Sequence, residues 1–182
     1  MIERLAIPDV WVYTPRRFED DRGWFSETFN AQALSEVLGG VTFVQDNQSL
    51  SRKAGTLRGM HFQAAPKAQD KLVRVLRGAV LDVAVDIRRS SPTYGQWVSA
   101  ELSAKNGAQI FVPKGFAHGF LTLEPDTEVL YKVSDYYSRE HERGLVWNDP
   151  DLGIDWRFAD ADVTLVDRDR QFPRLAALEQ YF

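Results

Sequence analysis

The sequence predicts a mainly β protein, a sandwich or barrel of many short strands with few peripheral helices. Three observations carry that expectation: runs rich in Val, Phe, Tyr and Thr recur along the chain, turn residues punctuate them, and only two segments carry helical signals. The clearest run is VLDVAVDI at residues 80–87. It sets Leu81, Val83, Val85 and Ile87 on one side and Asp82, Ala84 and Asp86 on the other, the alternation of a half-buried strand. KLVRVLRG precedes it and ends in Arg77-Gly78, so residues 71–77 and 79–87 are expected to form a hairpin or two strands joined by a tight turn. Further strands are expected at residues 41–50, 56–63, 96–102, 109–112, 119–123 and 128–134. Helices are expected at residues 31–38, with Asn30 as N-cap and Gly39 just past the end, and in the carboxyl-terminal LAALEQYF.

No repeat, low-complexity tract or Pro/Gly/Ser linker divides the 182 residues, a length that suits one domain spanning residues 1–182. The βαβ alternation and glycine-rich loop of a dinucleotide-binding fold are missing. With 44% hydrophobic and 26% charged residues, the composition is that of a folded globular chain. A formal net charge of -4 gives no basic surplus for a nucleic-acid backbone. Cysteine is absent, which removes disulfides and thiolate metal sites and points to the reducing cytoplasm. The amino terminus has no signal-like apolar stretch, and no segment reaches the roughly 18 apolar residues of a membrane helix.

Two of the three histidines, His61 in RGMHFQ and His118 in VPKGFAHGF, lie in apolar, glycine-flanked strand contexts and should point into the barrel or its mouth. Either alone reads most simply as a hydrogen-bonded core residue. The stretch from Gly107 through Pro113 and Gly115 to His118 resembles the second signature motif of the cupin superfamily, which implies a double-stranded β-helix, the jelly-roll barrel. The first cupin motif, which supplies two histidines one residue apart, is reduced here to His61-Phe62-Gln63, so a facial-triad metal site lacks its ligand set and no metal is expected.

A narrower resemblance covers nearly the whole chain. DRGWFSE at 21–27, QDN at 45–47, LRGMHFQ at 57–63, KLVRV at 71–75, Pro113–Phe120, LYK at 130–132 with Tyr136-Tyr137, and WNDP at 147–150 followed by Gly153 and Trp156 are similar, in order and spacing, to the dTDP-4-dehydrorhamnose 3,5-epimerase family. That resemblance implies epimerisation at C3 and C5 of dTDP-4-dehydro-6-deoxy-D-glucose without a cofactor. A C4 ketone acidifies the flanking hydrogens, so a base, an acid and an oxyanion stabiliser suffice. By the resemblance His61 is the base, Asp169 its orienting carboxylate, Tyr131 the acid and Lys71 the residue at the enolate oxygen, with His118 beside the same pocket. Asp167 lies close enough in sequence to compete with Asp169. Arg22, Glu27, Gln45, Asn47, Arg58, Glu142 and Arg168 match the family's substrate contacts. Amino-terminal strands exchanged within a homodimer would bring Arg22 and Glu27 to the partner's site. A single-carbon epimerase or a ketoisomerase of a related dTDP-4-keto sugar is the alternative outcome. An inert sugar-binding cupin and a metal-dependent cupin enzyme are the readings from other classes.

Overall fold

The chain changes sheets at Gly78, and that corner organises the architecture. The computed structural model describes all 182 residues. Its strands in chain order are β1 (Ile2–Arg4), β2 (Trp11–Tyr13), β3 (Phe18–Asp20), β4 (Gly23–Phe25), β5 (Gln45–Ser51), β6 (Leu57–Gln63) and β7 (Lys71–Arg77). They continue as β8 (Ala79–Asp86), β9 (Trp97–Ser103), β10 (Gln109–Val112), β11 (Phe116–Thr122), β12 (Thr127–Val133) and β13 (Glu142–Gly144). Two four-residue helices, α1 (Ser35–Leu38) and α2 (Asp167–Arg170), accompany them.

All strand ladders are antiparallel: one sheet runs β1-β2-β10-β7-β12-β5, a second runs β13-β6-β11-β8-β9, and β3-β4 form a separate hairpin. Although β7 and β8 are consecutive, they do not pair as a hairpin. β7 lies between β10 and β12, whereas β8 lies between β11 and β9. Gly78 joins them at φ +75°, and a Cβ there would collide with the Thr127 hydroxyl. A side chain is excluded at this corner by both conformation and contact.

Three apolar layers follow. Val73, Val75, Val80, Ala84, Ile110, Phe120 and Val129 fill the space between the sheets. Leu57, Met60, Phe62, Leu81, Val83 and Val85 form the outer face of the five-stranded sheet, covered by Leu145, Trp147, Trp156 and Leu178 from the carboxyl-terminal segment. On the outer face of the six-stranded sheet, Leu72 and the stacked Trp11–Phe111 pair meet Leu34 and Leu38.

β8 corrects the half-buried reading. Every one of its residues is buried, because it is central in its sheet and both faces are covered. Its aspartates are inside yet partnered: Asp82 by His118, and Asp86 by Arg88, Ser91 and Thr93. The segment 31–38 is helical only over its last turn. Asn30 Oδ1 accepts from the Gln32 and Ala33 N–H groups and so closes a turn ahead of the helix rather than capping it. Gly39 ends the helix in the left-handed conformation as expected. LAALEQYF contributes one 3₁₀ turn, Leu175–Ala177, and then runs extended to lay Tyr181 and Phe182 against Phe62. Periodicity marks neither the bounds of the amino-terminal strands β1 to β4 nor β13 and α2; each is only three or four residues long, too short to show a period.

Candidate active site between the two sheets

A bulge in β6 sets the inward face of the site. His118 pairs with His61 and Phe120 with Arg58, so two steps along β11 match three along β6. The extra residue reverses the alternation: Leu57 and Met60 both join the outer layer, while Arg58 and His61 both turn to the cavity. Gly59 makes this possible. A Cβ on it would collide with the Gly119 Cα, so the strands approach here because both carry glycine.

Two imidazole–carboxylate pairs result. His61 Nε2 meets Asp169 Oδ1 at 2.8 Å, and Asp169 Oδ2 accepts from the Gly59 N–H at 3.4 Å. An ionised carboxylate only accepts, so His61 carries its proton on Nε2 and leaves Nδ1, which has no partner in the chain, as a free lone pair. Burial raises the Asp169 pKa, but the His61 hydrogen bond and charge, the Gly59 N–H and Arg168 outweigh it, and the net shift is downward. The carboxylate arrives on α2, fixed by the Thr56–Thr164 bridge, in which Leu57 N donates to Thr164 O and Thr164 N to Gly55 O, each at 2.8 Å. The second pair is wholly inside: His118 Nε2 lies 2.8 and 3.0 Å from the Asp82 oxygens. Burial depresses the His118 pKa, against the pull of Asp82 and assisted by Lys71 and His61.

The facing sheet supplies Lys71 and Tyr131. On the β12–β7 ladder Tyr131 pairs with Val73 and Val133 with Lys71, which puts the Lys71 and Tyr131 side chains on one face, two residues apart. Lys71 Nζ donates to the His61 carbonyl at 3.3 Å. Burial draws its ammonium down from 10.5 to about 8, opposed by Asp82 and Glu142. Burial also raises the Tyr131 phenol, with Arg58 opposing and Glu142 reinforcing the shift. Its hydroxyl has no partner in the chain. His61, Lys71, His118, Tyr131, Arg58, Glu142, Arg168 and Asp169 all line one cavity of about 490 Å³, large enough for a sugar with part of its nucleotide. A recess of about 120 Å³ continues past Gln45, Asn47 and Tyr137.

Around the mouth, Arg58 donates to Ser51 Oγ and the Leu50 carbonyl, both at 3.1 Å. Arg168 grips Glu142 at 2.7 and 3.2 Å, and Tyr137 Oη donates to the same carboxylate at 2.9 Å. Gln45 and Asn47, alternate residues of β5, are bonded to each other at 2.8 Å.

The profile of the family described as dTDP-4-dehydrorhamnose 3,5-epimerase matches residues 4–177. A curated dTDP-4-dehydrorhamnose 3,5-epimerase from Sinorhizobium fredii is 53% identical over 180 residues, 99% of this chain and 92% of that one. This chain belongs to the dTDP-4-dehydrorhamnose 3,5-epimerase family. Among solved structures, dTDP-6-deoxy-D-glucose-3,5-epimerase from Legionella pneumophila in complex with dTDP-4-keto-L-rhamnose superposes with a TM-score of 0.93 at 43% identity, covering 98% of this chain and 94% of that chain. A 3'-monoepimerase from Streptomyces bikiniensis in complex with dTDP-quinovose gives 0.87 at 34% identity, covering 95% and 87%.

Ten of the twelve residues marked by the family resemblance therefore converge: His61, Lys71, Tyr131, His118, Asp169, Arg58, Glu142 and Arg168 on the main cavity, with Gln45 and Asn47 in its recess. Arg22 and Glu27 do not. Arg22 sits on the β3–β4 hairpin, its side chain 90% exposed and tied only to Asp20, while Glu27 accepts from Asn30. Asp167 is exposed at the start of α2 and makes no bond to His61. Asp82 was missed as a site residue because the alternation placed it on a solvent face. The available signal was an acidic residue between Leu81 and Val83 in a strand whose eight residues hold only two charges.

Proposed function

We propose that the chain epimerises dTDP-4-dehydro-6-deoxy-D-glucose at C3 and C5 to dTDP-4-dehydro-L-rhamnose. The observation that carries this reading is that His61 and Tyr131 come from opposite sheets and line one cavity, with Lys71 in the same space. A base and an acid on opposite faces of a sugar ring are what inversion of a carbon requires.

In the proposed cycle His61 Nδ1 removes the proton beside the ketone, and Asp169 stabilises the imidazolium through Nε2. The electron pair moves onto O4, where the Lys71 ammonium stabilises the enolate. Tyr131 then protonates the same carbon from the other face, and its raised pKa keeps the phenol loaded at neutral pH. Proton exchange with water returns His61 to neutrality and Tyr131 to the phenol before the second carbon reacts. The ketone is its own electron sink, so no cofactor enters these steps. Arg58 and Arg168 suit the diphosphate, and Gln45, Asn47 and Glu142 suit the nucleoside end.

The reading includes a single-domain protomer, cytoplasmic location, and a homodimer in which Arg22 and Glu27 complete the partner's site. Phe18, Trp24 and Phe25, all exposed on the β3–β4 hairpin, support such a partner. The absence of cysteine supports the compartment. No helix is long and apolar enough to cross a membrane.

A second reading, epimerisation at C3 alone, is favoured by the shared fold of the 3'-monoepimerase. Turnover in heavy water with NMR of the product decides: deuterium at both C3 and C5 is expected, and label at C3 only would transfer the assignment to the second reading.

A further inference from the structure

We propose that Phe172 is a positioning residue for His61, seated in a slot that the missing side chain of Gly144 leaves beside the imidazole. The proposal rests on the reading of His61 as the base. Gly144 is the residue directly opposite His61 on the β13–β6 ladder, and cross-strand partners share a face. A Cβ on Gly144 would collide first with three atoms, all of them carbons of the Phe172 ring. The ring fills that slot and presents itself to His61 edge-on, with centroids 5.6 Å apart and planes at 77°, the favoured geometry for an aromatic pair.

One short segment thus fixes the imidazole twice. Asp169 holds Nε2, and three residues later Phe172 packs against the ring. The segment is tied down just beyond, where Val146 N–H donates to the Pro173 carbonyl at 2.9 Å and Leu175 N–H to Asp149 at 2.7 Å. A single hydrogen bond to Nε2 sets a distance but leaves the ring able to swing about its side-chain torsions, which carries Nδ1 off the line to the substrate carbon. Phe172 blocks that swing. Proton abstraction is sensitive to such alignment, whereas binding of the nucleotide sugar is not expected to be, because Phe172 lines neither the cavity nor its recess.

The test is a mutant cycle with kcat and KM measured for the dTDP-4-keto sugar, and a thermal melt to confirm folding. Phe172→Ala and Gly144→Ala are each expected to lower kcat about tenfold or more, with KM within about threefold of the parent. Since the methyl that Gly144→Ala adds clashes with the Phe172 ring, the double variant should be no worse than Phe172→Ala alone. A Phe172→Ala kcat within about twofold of the parent overturns the proposal, as does a Gly144→Ala loss that multiplies undiminished onto Phe172→Ala. His61→Asn separates the levels. If it abolishes turnover while Phe172→Ala does not reduce it, this inference alone fails; if it keeps full turnover, the base assignment fails first.

Discussion

His61–Asp169 and His118–Asp82 are the same chemical pair at the same 2.8 Å separation, yet the fold builds them in opposite ways. Asp82 reaches His118 from the adjacent strand of one sheet, and both side chains are nearly sealed, with His118 at 7% and Asp82 at 0% exposure. Asp169 comes from a helix 108 residues away in sequence and meets an imidazole that keeps 26% of its surface open to the cavity. Sealing an imidazole penalises its charged form, and the Asp82 carboxylate takes up the Nε2 edge of that sealed ring. The other imidazole keeps one edge open, which the proposed role of a base requires. Environment, rather than residue type, divides the roles.

The largest expected effect breaks that division on the reactive side. His61→Asn removes the free Nδ1 lone pair and should lower kcat by about 10³-fold, in the range for loss of a general base, while its thermal midpoint stays near the parent because the ring is partly exposed. Steady-state kinetics and calorimetry on one preparation check both halves. The mirror-image change, His118→Ala, should instead show in stability. It strips the buried Asp82 carboxyl of its only side-chain donor, which costs about 1–3 kcal/mol, readable as a shift in urea midpoint at unchanged slope. Equal stability losses in the two variants would sink the comparison.

These contrasts also explain what was legible in the sequence. The β-rich architecture was readable because β6 to β9, β11 and β12 run to seven or eight residues each and carry Val, Leu, Phe, Tyr or Thr between turn residues. His61, Lys71 and Tyr131 followed from the family resemblance, since each sits in such a strand with recognisable neighbours. The bulge at Gly59 was not readable, because it depends on how β6 pairs with β11, and a pairing is a property of two segments. Asp82 was hidden for a related reason: alternation tells which residues share a face but not whether that face meets water. β8 is covered on both sides, so its polar positions point at partners instead of solvent. The family resemblance points to Asp169 over Asp167; in the fold α2 buries the Asp169 carboxylate against β6 and leaves Asp167 outside.

The pH dependence probes the coupling between the two pairs through Lys71. Its pKa lies below the ordinary lysine value, at about 8, so the ammonium is present below that pH and is lost as pH rises through it. Activity limited by enolate stabilisation should therefore fall on the alkaline side of about pH 8 in kcat/KM, by up to about tenfold per pH unit. Asp82 is one of two charges that hold this pKa up. Asp82→Asn should move the alkaline limb to lower pH, whereas Asp169→Asn should leave its midpoint in place and lower the plateau. A limb that moves equally in both variants would show that Lys71 does not distinguish the pairs.

The smallest expected effect tests the rim where the reactive pair meets the cavity mouth. Arg168 binds both oxygens of Glu142 and lies 3.6 Å from Asp169, but its side chain is 55% exposed. Ion pairs of that exposure contribute less than about 1 kcal/mol, so Arg168→Ala should barely change the melting temperature. Its guanidinium is the weakest of the downward influences on Asp169, so kcat should fall less than it does in any variant of the dyad itself. If the same side chain meets the diphosphate, KM for the nucleotide sugar should rise several-fold and the rise should shrink as salt is added, because screening weakens exposed charge pairs. A salt-independent rise would indicate that the arginine shapes the mouth by packing on Glu142 and Tyr137 rather than by its charge.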